Sequence, residues 1–213
     1  MSLQPTLIAR ESAFSPFAGA LEARTKRIVT IDFEASCLPR HGRSYPIEVG
    51  IADTDRGARS WLIRPHANWA GWDWTDEAEA LHGLSRERVE REGLPVGLVV
   101  AELKAALKGA DVVADSPIDS YWMQTLSDAA GEPMIAPIME LSYLFDLHCL
   151  DSVTIFAAMD RVDQRALRRH RAGDDALWLA ALLTELGLLD RRDRGQLLPW
   201  SRAGARPETE RPL

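Results

Sequence analysis

The chain has 213 residues, 46% of them hydrophobic and 27% charged, with a formal net charge of −7, which is typical of one soluble globular domain. No apolar run approaches the ~18 residues of a membrane-spanning helix, and the first residues lack the apolar core of a secretory signal, so we expect a cytoplasmic protein with no membrane partner. Two widely separated cysteines exclude a disulfide scaffold and a cysteine-based zinc site. The negative charge argues against binding of long duplexes by bulk phosphate neutralisation.

Composition divides the chain into three parts. Residues 1–24 mix Pro, Ser, Gly and Ala without periodicity and predict an amino-terminal arm, while residues 198–213 hold three prolines and predict a disordered tail. One domain is expected between them, over residues 25–197.

Hydrophobic periodicity predicts an α/β fold. The first three strands follow one another closely, which indicates an antiparallel meander, at Arg27–Phe33, Pro46–Ala52 and Arg59–Ile63. Further strands are predicted at Asp111–Asp115 and Ile138–Leu144, and helices at Thr75–Leu81, Ser85–Glu92, Pro95–Leu107, Ile118–Ala129, Ser152–Met159 and Asp174–Leu186. The order of elements favours a mixed β-sheet, an antiparallel meander plus parallel strands, flanked by helices.

Two carboxylates stand at the end of the first predicted strand. Asp32 and Glu34 are two residues apart, so strand alternation places both on one face of the sheet. Like charges this close repel each other unless a cation lies between them, and hard oxygen ligands suit Mg²⁺ or Mn²⁺. An Asp-x-Glu pair alone is more often a pair of solvated acids, and this alternative stays open for the pair by itself.

Three more residues extend the pattern. Asp119 follows a short buried strand at the start of a helix, where its carboxylate would converge on the same strand ends. His170 and Asp175 are five positions apart, and five residues turn a helix by ~500°, so the two side chains would not share a helix face. We therefore expect His170 on a loop and Asp175 in the first turn of the last long helix.

These residues, in this order, resemble the three motifs of a known superfamily of nucleases. The segments DFE at residues 32–34, Asp119, and HRAGDDA at residues 170–176 are similar to those of the DEDD superfamily in its histidine-bearing branch, the DnaQ-like and RNase T-like 3′-5′ exonucleases. The resemblance covers roughly residues 27–190 and includes LHGL at 81–84 and LDSV at 150–153. The opening DFEASC looks most like the DFEATC of the RNA-trimming members.

The resemblance implies an RNase H-like fold and a two-metal mechanism. Two divalent ions, Mg²⁺ or Mn²⁺, would be held by Asp32, Glu34, Asp119 and Asp175. One ion would activate a water and the other would stabilise the departing 3′ oxygen. His170 would accept the proton of that water, since imidazole ordinarily titrates near pH ~6.5.

The second motif departs from the family pattern. Asp115 and Ile118 occupy positions where the family commonly has Asn and Phe. An extra carboxylate near the metals would either weaken the approach of phosphate or add a ligand. In the third motif Asp174 competes with Asp175, and we prefer Asp175 because H-x4-D followed by Ala fits the motif, while Asp174 suits a helix start.

Aromatic and basic residues are candidates for substrate binding. Three indoles crowd one polar loop; Trp72 and Trp74 are the preferred stacking partners for bases, and a small loop core that includes Trp69 is an equally weighted alternative. His82 would line the pocket of the terminal nucleotide or serve as a buried structural histidine. Five arginines lie within residues 161–171. The full set of predicted substrate contacts is Phe33, Ala35, Trp72, Trp74, His82, Arg169 and Arg171.

The predicted function is a metal-dependent 3′-5′ exonuclease that hydrolyses the 3′ ends of single-stranded RNA or DNA to nucleoside 5′-monophosphates. Two alternatives remain open: a proofreading-type subunit within a polymerase complex, and a non-catalytic nucleic-acid-binding domain of the same fold. The presence of all five expected catalytic residues disfavours the second alternative. The sequence leaves the choice between RNA and DNA and the oligomeric state open.

Overall fold

The computed structural model describes residues 27–53, 57–165 and 170–189. The predicted arm and tail lie outside these ranges. The described strands are β1 Arg27–Ala35, β2 Pro46–Asp53, β3 Gly57–Leu62, β4 Ala110–Ala114 and β5 Ile138–Glu140. The described α-helices are α1 Asp76–His82, α2 Arg86–Glu92, α3 Val96–Leu107, α4 Ile118–Ala129, α5 Leu141–Leu147, α6 Ser152–Asp163 and α7 Ala172–Glu185.

The five strands form one mixed sheet in the order β3-β2-β1-β4-β5. β1 pairs antiparallel with β2, which pairs antiparallel with β3, while β4 lies parallel to β1 and β5 parallel to β4. The predicted α/β class and the combination of a meander with parallel strands are confirmed. β1 lies at the centre of the sheet; β4 pairs with Arg27–Thr30 only, whereas β2 pairs with β1 as far as Ala35, at the carboxyl end of the strand.

The sheet separates two hydrophobic cores, and alternation along β1 decides which side chain enters each. Ile31 and Phe33 pack into the larger core, which also holds the buried faces of α3 and α4. The opposite face is covered mainly by α7, whose buried residues form the second core with parts of α5 and α6. Thr30 on this second face donates its hydroxyl to the Ala176 carbonyl at 2.6 Å, which ties α7 to β1. Asp32 and Glu34 therefore point toward the side of the sheet that carries α7.

Three helices begin at side-chain caps. The Thr75, Ser85 and Asp151 side chains accept hydrogen bonds from backbone N–H groups in the first turns of α1, α2 and α6. Such caps satisfy N–H groups that have no partner within the helix, which explains why these starts were recognisable in the sequence.

The predicted fifth strand, Ile138–Leu144, is wrong beyond Glu140. β5 has only three residues, and α5 begins at Leu141. Leu141 and Leu144 are both buried, with the spacing of one helix face. A segment as short as IMELSYL is compatible with a strand and with a helix turn, and tertiary packing decides between them.

A close approach of backbones brings α7 onto the sheet. Gly50 on β2 is paired with Asp32, and a Cβ atom at Gly50 would overlap the backbone of Ala172 and Gly173 at the start of α7. Glycine is needed there because no side chain fits between the strand and the helix. No helix in the described ranges has both the length and the apolar character required to cross a bilayer.

Candidate active site

The first two acids of the site lie at the carboxyl end of β1. Asp32 is half-buried and Glu34 is 9% exposed. The pairing register of β1 with β2 shifts between Glu34 and Ala35, which is the irregularity of a β-bulge. Bulges are common beside active sites because they redirect side chains at the point where strand pairing ends.

Asp175 reaches the same place from the first turn of α7, as predicted from the His170 spacing. Its Oδ2 atom accepts hydrogen bonds from the backbone N–H groups of His170 at 2.6 Å and Arg171 at 3.1 Å. These two bonds fix the carboxylate relative to the loop that precedes the helix. Asp174, the competing candidate, belongs to none of the acidic groups that the described residues bring together with metal-ligand spacing.

Asp119 lies in the first turn of α4, just beyond the end of β4. The residue is 1% exposed. Its Oδ2 atom is buried and has no hydrogen-bond partner among the described residues. A carboxylate oxygen buried without a partner is costly, so its position calls for a compensating group.

The acids form two overlapping triads. Carboxylate oxygens of Asp32, Glu34 and Asp175 lie within 4.8 Å of one another, and so do those of Asp32, Asp115 and Asp119. Asp32 belongs to both groups. The four acids of the sequence motifs therefore converge at one end of β1, and Asp115 joins them.

The crowding shifts the protonation of these acids. Burial, with the charges of Asp119 and Glu34, raises the pKa of Asp32 well above its ordinary value. Burial, with the charges of Asp175 and Glu48, raises the pKa of Glu34 to about 8. Burial and the charge of Asp115 raise the pKa of Asp119 to about 8. The site is thus a concentration of negative charge that is unfavourable without a cation.

Divalent cations fit this arrangement. The donors are carboxylate oxygens only, which is the ligand set that hard cations such as Mg²⁺ and Mn²⁺ prefer. The unpartnered oxygen of Asp119 and the raised pKa values show that a bound cation would stabilise the ionised acids.

A buried ion pair that the sequence did not reveal supports the site. Glu48 on β2 is 1% exposed and lies opposite Glu34 in the sheet. Arg171 donates to both of its carboxylate oxygens, Nε to Oε2 at 2.9 Å and Nη2 to Oε1 at 2.6 Å. The Ala172 N–H donates to the same Oε2 at 3.2 Å. This pair fastens the start of α7 to β2 and so holds Asp175 beside Glu34.

The structure therefore gives Arg171 a partner within the fold. Its predicted contact with substrate stays a prediction. Two further arginines of the basic stretch, Arg161 and Arg165, both pair with Glu185. Arg169 lies outside the described residues. The arginines of the predicted basic surface that the structure does describe, at positions 161, 165 and 171, all have acidic partners.

His170 lies on the loop before α7 with an exposed side chain, in agreement with the predicted loop position. Its backbone adopts a left-handed conformation with φ of 63°. That conformation is strained for a residue other than glycine, and such strain is concentrated at functional sites. The hydrogen bond from its N–H to Asp175 is what stabilises the turn.

Three other predicted substrate contacts are buried. The Phe33 and Ala35 side chains are 4% and 6% exposed and belong to the larger core. His82 is 3% exposed, and its Nδ1 atom accepts the N–H of Leu84 at 3.0 Å. Its Nε2 atom is buried without a hydrogen-bond partner among the described residues, and burial lowers the pKa of the ring. The ring is thus favoured in its neutral form inside the fold, next to the Ala35 backbone.

The tryptophan loop divides into core and partly exposed rings. Trp69 is 4% exposed and stacks on Tyr45 with ring centroids 5.3 Å apart, so it belongs to the loop core. Trp72 and Trp74 are half-buried and pack against the larger core. The Arg43 guanidinium lies over the Trp72 ring at 4.4 Å from its centroid, a cation–π contact that the sequence did not indicate. Base stacking on Trp72 and Trp74 remains a prediction.

Comparison with known proteins supports the fold. No family model and no curated protein matches the sequence. Solved structures of exonuclease I do match. They include E. coli exonuclease I with a dA16 oligonucleotide (TM-score 0.59, 10% identity, covering 78% of this chain and 42% of that one). They also include its zinc-bound complex with single-stranded DNA (TM-score 0.58, 11% identity, covering 76% of this chain and 40% of that one). Exonuclease I of Methylocaldum szegediense matches as well (TM-score 0.54, 15% identity, covering 75% of this chain and 40% of that one).

This chain spans about two fifths of the length of those exonuclease I chains. At 10–15% identity the likeness shows a common fold, and the predicted RNase H-like architecture is confirmed.

Proposed function

We propose that the protein is a divalent-metal-dependent 3′-5′ exonuclease of the DEDD superfamily, in its histidine-bearing branch. It would release nucleoside 5′-monophosphates from the 3′ ends of single-stranded RNA or DNA. The observation that carries the proposal is the convergence of Asp32, Glu34, Asp119 and Asp175 from β1, α4 and α7 into overlapping groups with metal-ligand spacing. The fold shared with exonuclease I, which has been solved with single-stranded DNA, supports it.

Each acid has a defined part in this proposal. Asp32, Glu34 and Asp175 would hold one ion, and Asp32 with Asp119 would take part in holding a second. Bound there, Mg²⁺ or Mn²⁺ supplies Lewis acidity to the phosphodiester and lowers the pKa of a water. The buried Glu48–Arg171 pair keeps Asp175 in register with β1.

His170 is the proposed proton acceptor. Its ring lies on the exposed side of the loop that Asp175 holds through the backbone, so the imidazole is anchored next to the acids and open to solvent. Imidazole changes protonation near neutral pH and can take a proton from an attacking water.

The terminal nucleotide is proposed to lie near His82 and Trp74. Their rings contact each other edge to face with centroids 6.2 Å apart, and Trp74 Nε1 donates to Glu79 at 2.8 Å, which fixes the indole. Because His82 is 3% exposed, its proposed part is to support the Trp74 ring from within the fold. Stacking of a base on an aromatic ring is worth about 1 to 3 kcal/mol and does not depend on sequence.

Degradation of 5′-end-labelled single-stranded RNA and DNA, in Mg²⁺, Mn²⁺ or chelator, tests the proposal. We expect a ladder of shortened oligomers and nucleoside 5′-monophosphate products in the presence of metal only. Asp175→Asn should abolish the reaction, and the neighbouring Asp174→Asn, which removes the same charge from the same helix turn, should leave most of it. Absence of shortening on both nucleic acids with both metals, or full activity of Asp175→Asn, would reject the proposal.

A further inference from the structure

We propose that Asp115 is an additional metal ligand, and that Asp32, Asp115 and Asp119 together hold a divalent cation before nucleic acid binds. The inference rests on the proposed function for its biological use, because the same acids would serve the exonuclease reaction. Asp115 stands where the exonucleases that the sequence resembles commonly have Asn, so the resemblance does not itself imply this ligand.

The local fold brings Asp115 and Asp119 to one place. β4 ends at Ala114 and α4 begins at Ile118, so Asp115 is the first residue of a three-residue connection and Asp119 is the second residue of the helix that follows. Asp115 is exposed and Asp119 is buried, so the acids approach the same point from the solvent side and from within the fold. One carboxylate oxygen from each, with one from Asp32, lies within 4.8 Å of the others. Oxygens on opposite sides of one Mg²⁺ ion lie about 4.2 Å apart, so side-chain shifts of less than about 1 Å would bring these three oxygens onto one cation.

An independent observation indicates a ligand at this point. Asp119 is 1% exposed, and its Oδ2 atom has no hydrogen-bond partner among the described residues. Buried carboxylate oxygens are normally paired, because burial without a partner is unfavourable. A cation between Asp119, Asp115 and Asp32 would compensate that cost.

The number of protein ligands decides whether substrate is needed for ion binding. Mg²⁺ commonly binds through one or two carboxylates and completes its coordination with water and substrate phosphate. A third carboxylate makes the position beside Asp119 competent without phosphate. Five acids carry a formal charge of −5, which two divalent ions reduce to −1, whereas the four motif acids would be neutralised fully. Asp115 should therefore strengthen ion binding and weaken the attraction for the phosphodiester.

Counting ions in the absence of nucleic acid tests the inference. Mn²⁺ would be titrated into the metal-free full-length chain and followed by calorimetry and by electron paramagnetic resonance of free Mn²⁺. We expect two ions per wild-type chain. In Asp115→Asn, one ion should bind with wild-type affinity and the second at least tenfold more weakly. Asp160→Asn, which removes the same charge from an exposed site on α6, should match the wild type.

The outcomes separate this inference from the proposed function. Thermal melting of Asp115→Asn confirms folding, and the substitution preserves the shape of an exposed side chain. The inference is overturned if the wild type binds only one ion, or if Asp115→Asn binds the second as tightly as the wild type. Oligonucleotide shortening by the wild type is measured in parallel. If two ions bind in an Asp115-dependent manner but no shortening occurs, the ion site stands and the exonuclease function fails.

Discussion

Replacement of Arg171 by alanine should destabilise the protein through the loss of a buried ion pair. Glu48 is 1% exposed and accepts three hydrogen bonds, two from Arg171 and one from the Ala172 N–H. Arg171→Ala leaves a buried carboxylate with one donor. Breaking a buried pair by removing one partner costs about 3–5 kcal/mol, and because the Arg171 side chain is 20% exposed, water can reach the gap and the lower end, about 3 kcal/mol, is expected.

The stability of matched variants measures this cost. Urea unfolding at pH 7.5 in chelator, followed by tryptophan fluorescence, would compare Arg171→Ala with Arg161→Ala. The Arg161–Glu185 pair has side chains 51% and 20% exposed and should contribute less than about 1 kcal/mol. Combining Arg171→Met with Glu48→Gln should recover part of the loss, because no uncompensated charge remains buried.

The same pair affects the chemistry of the site. The charge of Arg171 lowers the pKa of Glu34, so its removal should raise that pKa further. Metal binding should weaken because α7, and with it Asp175, is no longer fastened to β2. If Arg171→Ala is no less stable than Arg161→Ala and instead reduces the salt dependence of KM, the structural role is refuted and Arg171 contacts substrate.

Three further predictions concern the acids, the helix contact and the base. Because burial and neighbouring charges raise the pKa of Glu34 and Asp119 to about 8, the folded metal-free protein holds protons that the unfolded chain has released. Its unfolding free energy should therefore fall by more than ~1 kcal/mol as the pH rises from about 4 to about 8, and saturating Mg²⁺ should remove this decline. Thermal melts in chelator whose midpoints do not depend on pH would contradict the prediction. Gly50→Ala should push α7 from the sheet, which should lower the unfolding free energy by about 1–3 kcal/mol and weaken Mn²⁺ binding. The control Gly97→Ala lies in α3, where a Cβ atom has open space, and should leave Mn²⁺ binding unchanged and stability unchanged or higher. His170→Ala should lower kcat by roughly 10² to 10⁴-fold with unchanged Mn²⁺ affinity, and a variant that instead loses metal would mark His170 as a ligand.

The sequence predicted best what depends on local patterns. Alternation along β1 placed Asp32 and Glu34 on one face, and the spacing of His170 and Asp175 placed one on a loop and the other in a helix turn. Both depend only on backbone periodicity. The prediction of the boundary between β5 and α5 failed because the seven residues IMELSYL are too few to show a distinct period.

Long-range pairs were not predictable. Glu48 and Arg171 are 123 positions apart, and nothing near either residue in the sequence indicates the other. Arg171 was therefore interpreted as part of a basic surface. The convergence of Asp115 on Asp32 likewise depends on the parallel pairing of β4 with β1, which sets the relative height of the two strand ends. The one local sign of a cationic partner was Glu48 itself, a glutamate among the apolar residues of a predicted strand.

Anomalous diffraction from crystals grown or soaked in Mn²⁺ at neutral pH tests most directly whether these acids form a metal centre. The account predicts one peak in contact with Asp32, Glu34 and Asp175, and a second in contact with Asp32, Asp115 and Asp119. Crystals with the acids well ordered, in saturating Mn²⁺, and without an anomalous peak among them would contradict the central claim.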